Sequence, residues 1–322
     1  MISARIIADS KNQFGNRLTT FVLNYPRIIH SEFMTHRTIS RNSASSRAIP
    51  FPKMLKSVED NPFIPLRWQK EHTGMQGTEY FTDNDLIQEA LNVHTPAPKY
   101  FERIWLEARD AACIKACHLH NNKLTKQLVN RLLEPYMYHT IIATASEWSN
   151  FFALRAHPDG EIHIQDLAYK MLEVYNASIP KLLKAGEWHI PFGDNIHDPR
   201  IFKILYDEFG RDRFESGTDN PVLQPDFSKA FWDIKIKVST ARCARISYNN
   251  FEGKDDYVVD IKLYDRLLSS GHMSPMEHCA YAMTEFEYDD QIGPWCGNFK
   301  GFVQLRKTIS GENKSDPRVI TK

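Results

Sequence analysis

Apolar and polar positions along the chain change period several times, and each change marks an element. "ISARIIAD" and "RLTTFVLNY" are β-rich runs separated by the turn residues of "SKNQFGN", which predicts a β-hairpin over residues 2–25 ended by Pro26. "RIIHSEFMTHR" follows with a mixed pattern that suits a short helix. Residues 48–81 lose periodicity, with prolines at 50, 52, 62 and 65 and glycines at 74 and 77, and read as a long surface loop of the kind that often carries function. The middle then reads as helical. "TDNDLIQEALNVH" opens on a Thr82 or Asp83 cap, and Ile104, Ala108, Ala111, Ala112 and Ile114 recur at helical spacing between Pro98 and about His120. "KLTKQLVNRLLEP" repeats the pattern and stops at Pro135.

"YMYHTIIATASEWSNFFALR" is too apolar for a surface helix and should be buried. "EIHIQDLAYKMLEVYNASIP" is amphipathic, with Ile164, Leu167, Ala168, Met171 and Tyr175 on one face. Residues 190–228 are rich in Pro, Asp and Gly and look like a connection. Beyond them "AFWDIKIKVSTARCARISY" and "DIKLYDRLLSSGH" predict helices, the second ended by Gly271, and "CAYAMTEFEY" alternates as a strand should. No short repeat appears, so a solenoid is excluded.

Composition narrows the class. Lys+Arg and Asp+Glu balance at 40 each over 322 residues, which argues against a general nucleic-acid binder but leaves room for a local phosphate pocket. No run is long and apolar enough for a membrane helix, and "MISARIIADS" lacks the apolar core of a signal peptide. The five scattered cysteines read as reduced thiols, so the expectation is a soluble, cytoplasmic protein.

Three stretches carry candidate chemistry. Cys113-x3-Cys117-His118-x-His120 puts both thiols on one helix face, but the spacing suits no zinc finger, and a core helix with exposed histidines explains it better. "GHMSPMEH", residues 271–278, crowds His272, Ser274, Glu277 and His278 between a helix and a strand. Ser274 and Glu277 there suit a capping box, which leaves the histidines unexplained. "MTHRTISRNSASSRAIP", residues 34–50, has no glycine, yet it interleaves Arg37, Arg41 and Arg47 with serines, His36 and Asn42. Those are donors that grip a phosphate and a base edge.

His36-Arg37-x7-Ser45-x-Arg47 resembles the R-H-R-x7-S signature of the flavin-dependent thymidylate synthases, and Ser40 and Asn42 fit it too. "HMSPMEH" resembles that family's H-x-[ST]-P-F-E-H block and "ARCARISY" its A-A-R-x-S-[FY] block. "NFFALRAHPDGEIHIQDLA" is similar to its F-x-x-L-R segment and "VNRLLEP" to its A-R-x-x-L-P segment. The order is rearranged: two blocks that normally precede the R-H-R run lie some two hundred residues after it, which fits a divergent branch, such as a bacteriophage one acting in host cytoplasm.

The resemblance implies one domain over residues 1–322, with 48–81 and 190–228 as insert or connection, and an α/β (α+β) fold in which an antiparallel sheet packs with a central helical bundle. It implies dUMP methylated to dTMP, with methylenetetrahydrofolate as carbon donor, FAD as hydride carrier and NADPH as reductant. It also implies a homotetramer with shared active sites. Ser45 and Arg155 would be catalytic. Glu32, Ser45, Arg47, Arg131 and Arg155 would bind the nucleotide, and His36, Arg37, Ser247, His272, Ser274 and Glu277 the flavin; no metal is implied. A flavoenzyme acting on another pyrimidine such as dCMP, and a silent nucleotide- or RNA-binding paralogue, are the alternatives.

Four departures stand out. Thr35 occupies the first arginine's place, Ser43 a glutamate's and Glu32 a glutamine's. Thr144 and Ser146 replace an N-x-R flavin contact. Arg306 or Lys307 in "GFVQLRKTISGENK" would be substitute cations.

Overall fold

The N-terminal hairpin forms as its alternation predicts. In the computed structural model, which describes residues 1–74, 77–89, 93–209, 225–248, 255–289 and 294–312, β1 (Ser3–Asn12) pairs antiparallel with β2 (Arg17–Pro26). Asn12 closes the turn by accepting from the amides of Phe14 and Asn16 at 3.1 and 2.9 Å. Strands β3 (Ser40–Ser43), β4 (Tyr138–Ala145) and β5 (Lys181–Leu183) complete a sheet in the order β3-β4-β2-β1-β5. Every pair in it is antiparallel except β1 with β5.

Both faces of this sheet are covered. On one, Phe21, Leu23, Tyr25, Ile141 and Ala143 pack against Trp148, the helix α3 (Ser149–Arg155) and the helix α4 (Ile162–Ala177), which contributes the predicted Ile164, Leu167, Ala168 and Met171. The other face meets a three-stranded sheet of β6 (Trp188–His189), β7 (Ala280–Ala282) and β8 (Phe302–Gln304), where Leu18 and Leu183 pack with Ala280, Ala282, Phe299 and Phe302. The long helix α2 (Ala97–Asn121) lies outside, with Cys113 and Ala116 on the helix α1 (Phe51–Asp60) and on Val129 and Leu133. Helices α5 (Asp198–Phe209), α6 (Pro225–Arg245) and α7 (Tyr257–Ser269) form the C-terminal packing unit. The result is the expected mixed α/β fold. All five cysteines are free thiols, and no cluster able to hold a metal occurs among the described residues. No described helix is long and apolar enough to cross a membrane.

Several predicted elements differ. The buried run 138–155 is a strand followed by a helix, because Thr140, Ile141, Ile142 and Thr144 are β-branched and both strand faces are covered, which erases alternation. The helix predicted in 82–94 is a hairpin of Leu86–Gln88 with His94–Pro96; Asp85 folds back to accept from the Thr82 amide and hydroxyl at 2.8 and 2.9 Å, and residues 90–92 lie outside the described set. Residues 48–81 contain α1 and are not wholly irregular. The 190–228 connection contains α5 and the start of α6, and its residues 210–224 are not described. The strand in "CAYAMTEFEY" stops at Ala282, because Thr284 and Glu287 form a capping box that starts a short helix at Glu285.

Two arginines of "ARCARISY" have a structural use. Asp260 on α7, about 1 % exposed, receives Arg245 at 2.5 Å and Arg242 at 3.7 Å. Asp260→Ala leaves the largely buried Arg245 guanidinium without its carboxylate, while Arg242 keeps Asp255 at 2.6 Å, and is expected to lower unfolding stability by about 3 kcal/mol, measured by urea denaturation. A loss below about 1 kcal/mol would mean that water replaces the carboxylate.

Candidate functional site

The arginine- and serine-rich stretch of residues 34–50 is organised by β3. Ser40 and Asn42 face inward and Arg41 and Ser43 point to the opposite face. Ser40 Oγ accepts from Asn298 Nδ2 at 3.2 Å and from Gln304 Nε2 at 3.1 Å, and the same Gln304 donates to the Glu277 carbonyl at 3.2 Å. With its amide nitrogen turned toward them, Asn42 donates to His278 Nε2 at 3.3 Å and to the Ser274 carbonyl at 3.1 Å. The "HMSPMEH" block is therefore fastened along β3 although it lies more than 230 residues away in sequence.

Beyond the strand the chain makes a turn. The Ser45 carbonyl accepts from Ala48 and Ile49, and the Ser45 amide donates to the Ser247 carbonyl at 2.9 Å. Buried Asn130 donates to the carbonyls of Ser46 and Ile49 at 2.6 and 3.0 Å, Ser46 Oγ donates to Glu134 at 2.5 Å, and Lys126 donates to the Ala48 carbonyl at 2.9 Å. These bonds fasten the turn that displays Arg47 to the segment that displays Arg131. Both guanidiniums are exposed and bond to no described residue, so they are available to an anion.

His36, Glu32 and Arg155 form the second cluster. Arg155 ends α3, whose Phe151 and Phe152 are buried in the core. Its Nε donates to His36 Nε2 at 3.2 Å and its Nη1 to Glu32 Oε2 at 3.3 Å. An acceptor Nε2 requires a neutral ring with the proton on Nδ1, and burial, then the charges of Arg155 and Arg41, push the His36 pKa down in agreement. The ring stands edge-on to Phe151 at 4.9 Å. Burial, with Glu161 nearby, raises the Glu32 pKa against the pull of Arg155.

A buried polar chain links the two sheets behind β3. It runs from Asn42 to His278, then to Thr144 (2.8 Å), Thr20 (2.8 Å), His189 (2.8 Å) and Ser10 (2.8 Å). With Asn42 donating to His278 Nε2, each neutral histidine donates from Nδ1, to Thr144 and Ser10 respectively, and every bond runs in one sense. Burial drives the pKa of both rings down to about 3, so they are neutral. Thr144→Val breaks the chain in the middle and should cost about 1–3 kcal/mol of stability, read from thermal unfolding; an unchanged midpoint would show the chain to be slack.

The structure thus brings Glu32, His36 and Arg155 into contact, joins Ser45 to Ser247 through the backbone, and seats Ser274 and Glu277 along β3. Arg37, His272 and Arg131 are exposed, and the His272 side chain bonds only to Ser270 among the described residues. The capping box expected at Ser274 does not form, because the Glu277 carboxylate takes Arg306 at 2.5 Å. Arg306 and Lys307 are neutralised by Glu277 and Glu312 and are not spare cations; Asn313 and Lys314 of their segment lie outside the described residues. Thr35 is a turn residue whose hydroxyl donates to the Glu32 carbonyl at 2.7 Å. Sequence reasoning missed Asn130, which looks like one more polar residue of a helix, and the Thr20–Thr144 link, whose threonines look like ordinary strand residues.

Residues 16–181, just over half of the chain, match the family described as thymidylate synthase complementing protein. The chain therefore belongs to the flavin-dependent thymidylate synthase family, and is a methyltransferase of the thymidylate synthase type. "ARCARISY" and "HMSPMEH" lie outside the matched span.

Among solved structures the chain is similar to a UMP/dUMP methylase, PolB from Streptomyces cacaoi. The form bound with 5-Br dUMP is 14 % identical at TM-score 0.37, covering 55 % of this chain and 90 % of that one. The form bound with 5-Br UMP is 15 % identical at the same TM-score, covering 55 % and 89 %. No curated protein matches the sequence.

Proposed function

We propose that this chain methylates dUMP reductively to dTMP, with methylenetetrahydrofolate as the carbon donor, FAD as hydride carrier and NADPH as reductant. The observation that carries this reading is the Arg155–His36–Glu32 cluster before β3 together with the turn after β3 that displays Ser45 and Arg47 and is fastened to the segment displaying Arg131. Arg47 and Arg131 take the nucleotide phosphate, for which free guanidiniums are suited. The Ser45 hydroxyl orients the uracil ring. Arg155, aimed by Glu32 and His36, donates to the pyrimidine carbonyl edge and holds the negative charge that develops there without reorganising.

The donor set also fits a flavin. Arg37 and Ser274 are exposed with side chains that bond to no described residue, His272 is exposed nearby in sequence, and the Ser274–Glu277 turn is fixed to β3. Guanidinium, hydroxyl and imidazole N–H groups are what phosphate and ring carbonyl oxygens accept from. A flavin held there supplies the hydride when reduced. His36, buried and neutral, accepts from Arg155 and keeps the guanidinium turned to the nucleotide. A shared site in a homotetramer is part of the reading: Leu132 and Leu154, next to Arg131 and Arg155, are large apolar residues left 41 % and 55 % exposed.

Tritium release from [5-³H]dUMP tests this. The purified chain should release tritium only when methylenetetrahydrofolate and NADPH are both present. Release from [5-³H]dCMP instead would assign a different pyrimidine, and release from neither would overturn the enzymatic reading.

A further inference from the structure

The cation missing at Thr35 has a counterpart on β3. Arg41 shares its strand face with Ser43, where the resemblance expects a carboxylate, so this face carries a neutral hydroxyl in place of a negative charge. The guanidinium is only partly accessible. Its Nη1 donates to the His36 carbonyl at 2.7 Å, and that is its one bond among the described residues. No described carboxylate pairs with it, since Glu277, whose field reaches it, is held by Arg306. Arg155 grips the ring of the same His36. Two guanidiniums are thus anchored at the two ends of one histidine, and the second has most of its N–H donors free. A desolvated, unpaired guanidinium is costly unless a ligand brings acceptors to it.

Position along the segment says which acceptors. Arg47, in the turn beyond β3, and Arg131, on the segment bonded to that turn, suit a phosphate, whereas Arg41 lies at the His36–Arg155 end, where the base belongs. We propose that Arg41 is a specificity-determining residue: with Arg155 it forms a two-guanidinium clamp on the base edge that accepts a pyrimidine bearing two carbonyl oxygens and rejects one with a ring amino group. Uracil offers acceptors to both arms. Cytosine sets its 4-amino donor against a guanidinium, leaving both without a partner. This inference rests on the pyrimidine-methylating reading above and goes further by naming the residue that chooses the base.

The test is calorimetric titration of dUMP and dCMP into wild type, Arg41→Gln and Arg41→Lys, each shown folded by its thermal midpoint. Wild type should bind dUMP at least about tenfold more tightly than dCMP, a difference one polar mismatch supplies. Arg41→Gln should lose about tenfold or more on dUMP while dCMP affinity changes little, and Arg41→Lys should recover part of the loss. Equal losses on both nucleotides, or none, would overturn the proposal, the first because it places Arg41 on the phosphate or in the scaffold. Wild type binding neither nucleotide would overturn the pyrimidine reading and this inference with it, an outcome distinct from unchanged selectivity in Arg41→Gln.

Discussion

Arg155→Ala loses about 10²–10³-fold in turnover, the cost of removing a preorganised donor to developing charge, while the protein stays folded and retains flavin. The side chain ends α3 and contributes little to the core, which Phe151 and Phe152 hold. Its work is polar: Nε on His36 and Nη1 on Glu32 fix the plane of the guanidinium before substrate arrives. Removing it also relieves His36 of the positive charge on its ring nitrogen, so the His36 pKa rises toward the ordinary histidine range, and it leaves Glu32, already raised by burial, higher still. Steady-state tritium release with flavin absorbance on the same sample separates the roles. Loss of flavin with unchanged dUMP affinity would move Arg155 from the nucleotide to the cofactor.

Acid destabilises the fold well before carboxylates titrate. His189 and His278 are fully buried with pKa about 3, against 6.5 in the unfolded chain. Between those values the unfolded chain binds protons that the folded chain refuses, so stability falls as pH drops through about 6.5 and recovers as it rises. Above that the rings are neutral in both states and add no slope. Each contributes about 1.4 kcal/mol per pH unit, so the pair removes about 2–3 kcal/mol per unit once fully engaged. His30, lowered to about 4 chiefly by burial, acts in the same direction. Glu161, lowered by hydrogen bonds and charge from His163 despite burial, joins only below the ordinary carboxylate range. Urea unfolding between pH 7.5 and 5 therefore reads these histidines, with Glu32 and Asp260, whose carboxyls burial raises, acting in the opposite direction. A flat profile there would show that the buried chain from Asn42 to Ser10 admits water or protons.

Elements that bury one face were legible in the sequence. α4 and α7 each present one face to a neighbour, and their periods survive in the residues, whereas on α2 the recurring Ile104 and Ile114 are exposed and Cys113 and Ala116 make the contact. β4 did not, because Ile141 and Ala143 pack on one layer while Ile142 and Thr144 face the other, and a strand covered on both sides reads like a buried helix. The site was half legible. Composition marked residues 34–50 as anion-binding, but the partnership of Glu32 and His36 with Arg155 spans some 120 residues and follows from no local pattern. The chain His278–Thr144–Thr20–His189 joins four strands or turns, and only their packing shows that His278, unexplained in the sequence, and His189 serve one network. Arg41 was visible as a charge but not as an unpaired one.

The most direct measurement is the product itself. The flavin-loaded chain is reduced with NADPH, mixed with dUMP and ¹³C-methylenetetrahydrofolate, and the nucleotide is read by mass spectrometry. The account predicts dTMP carrying the labelled methyl group, abolished in Arg155→Ala. Recovery of unlabelled dUMP from a folded, flavin-bearing wild type would contradict it.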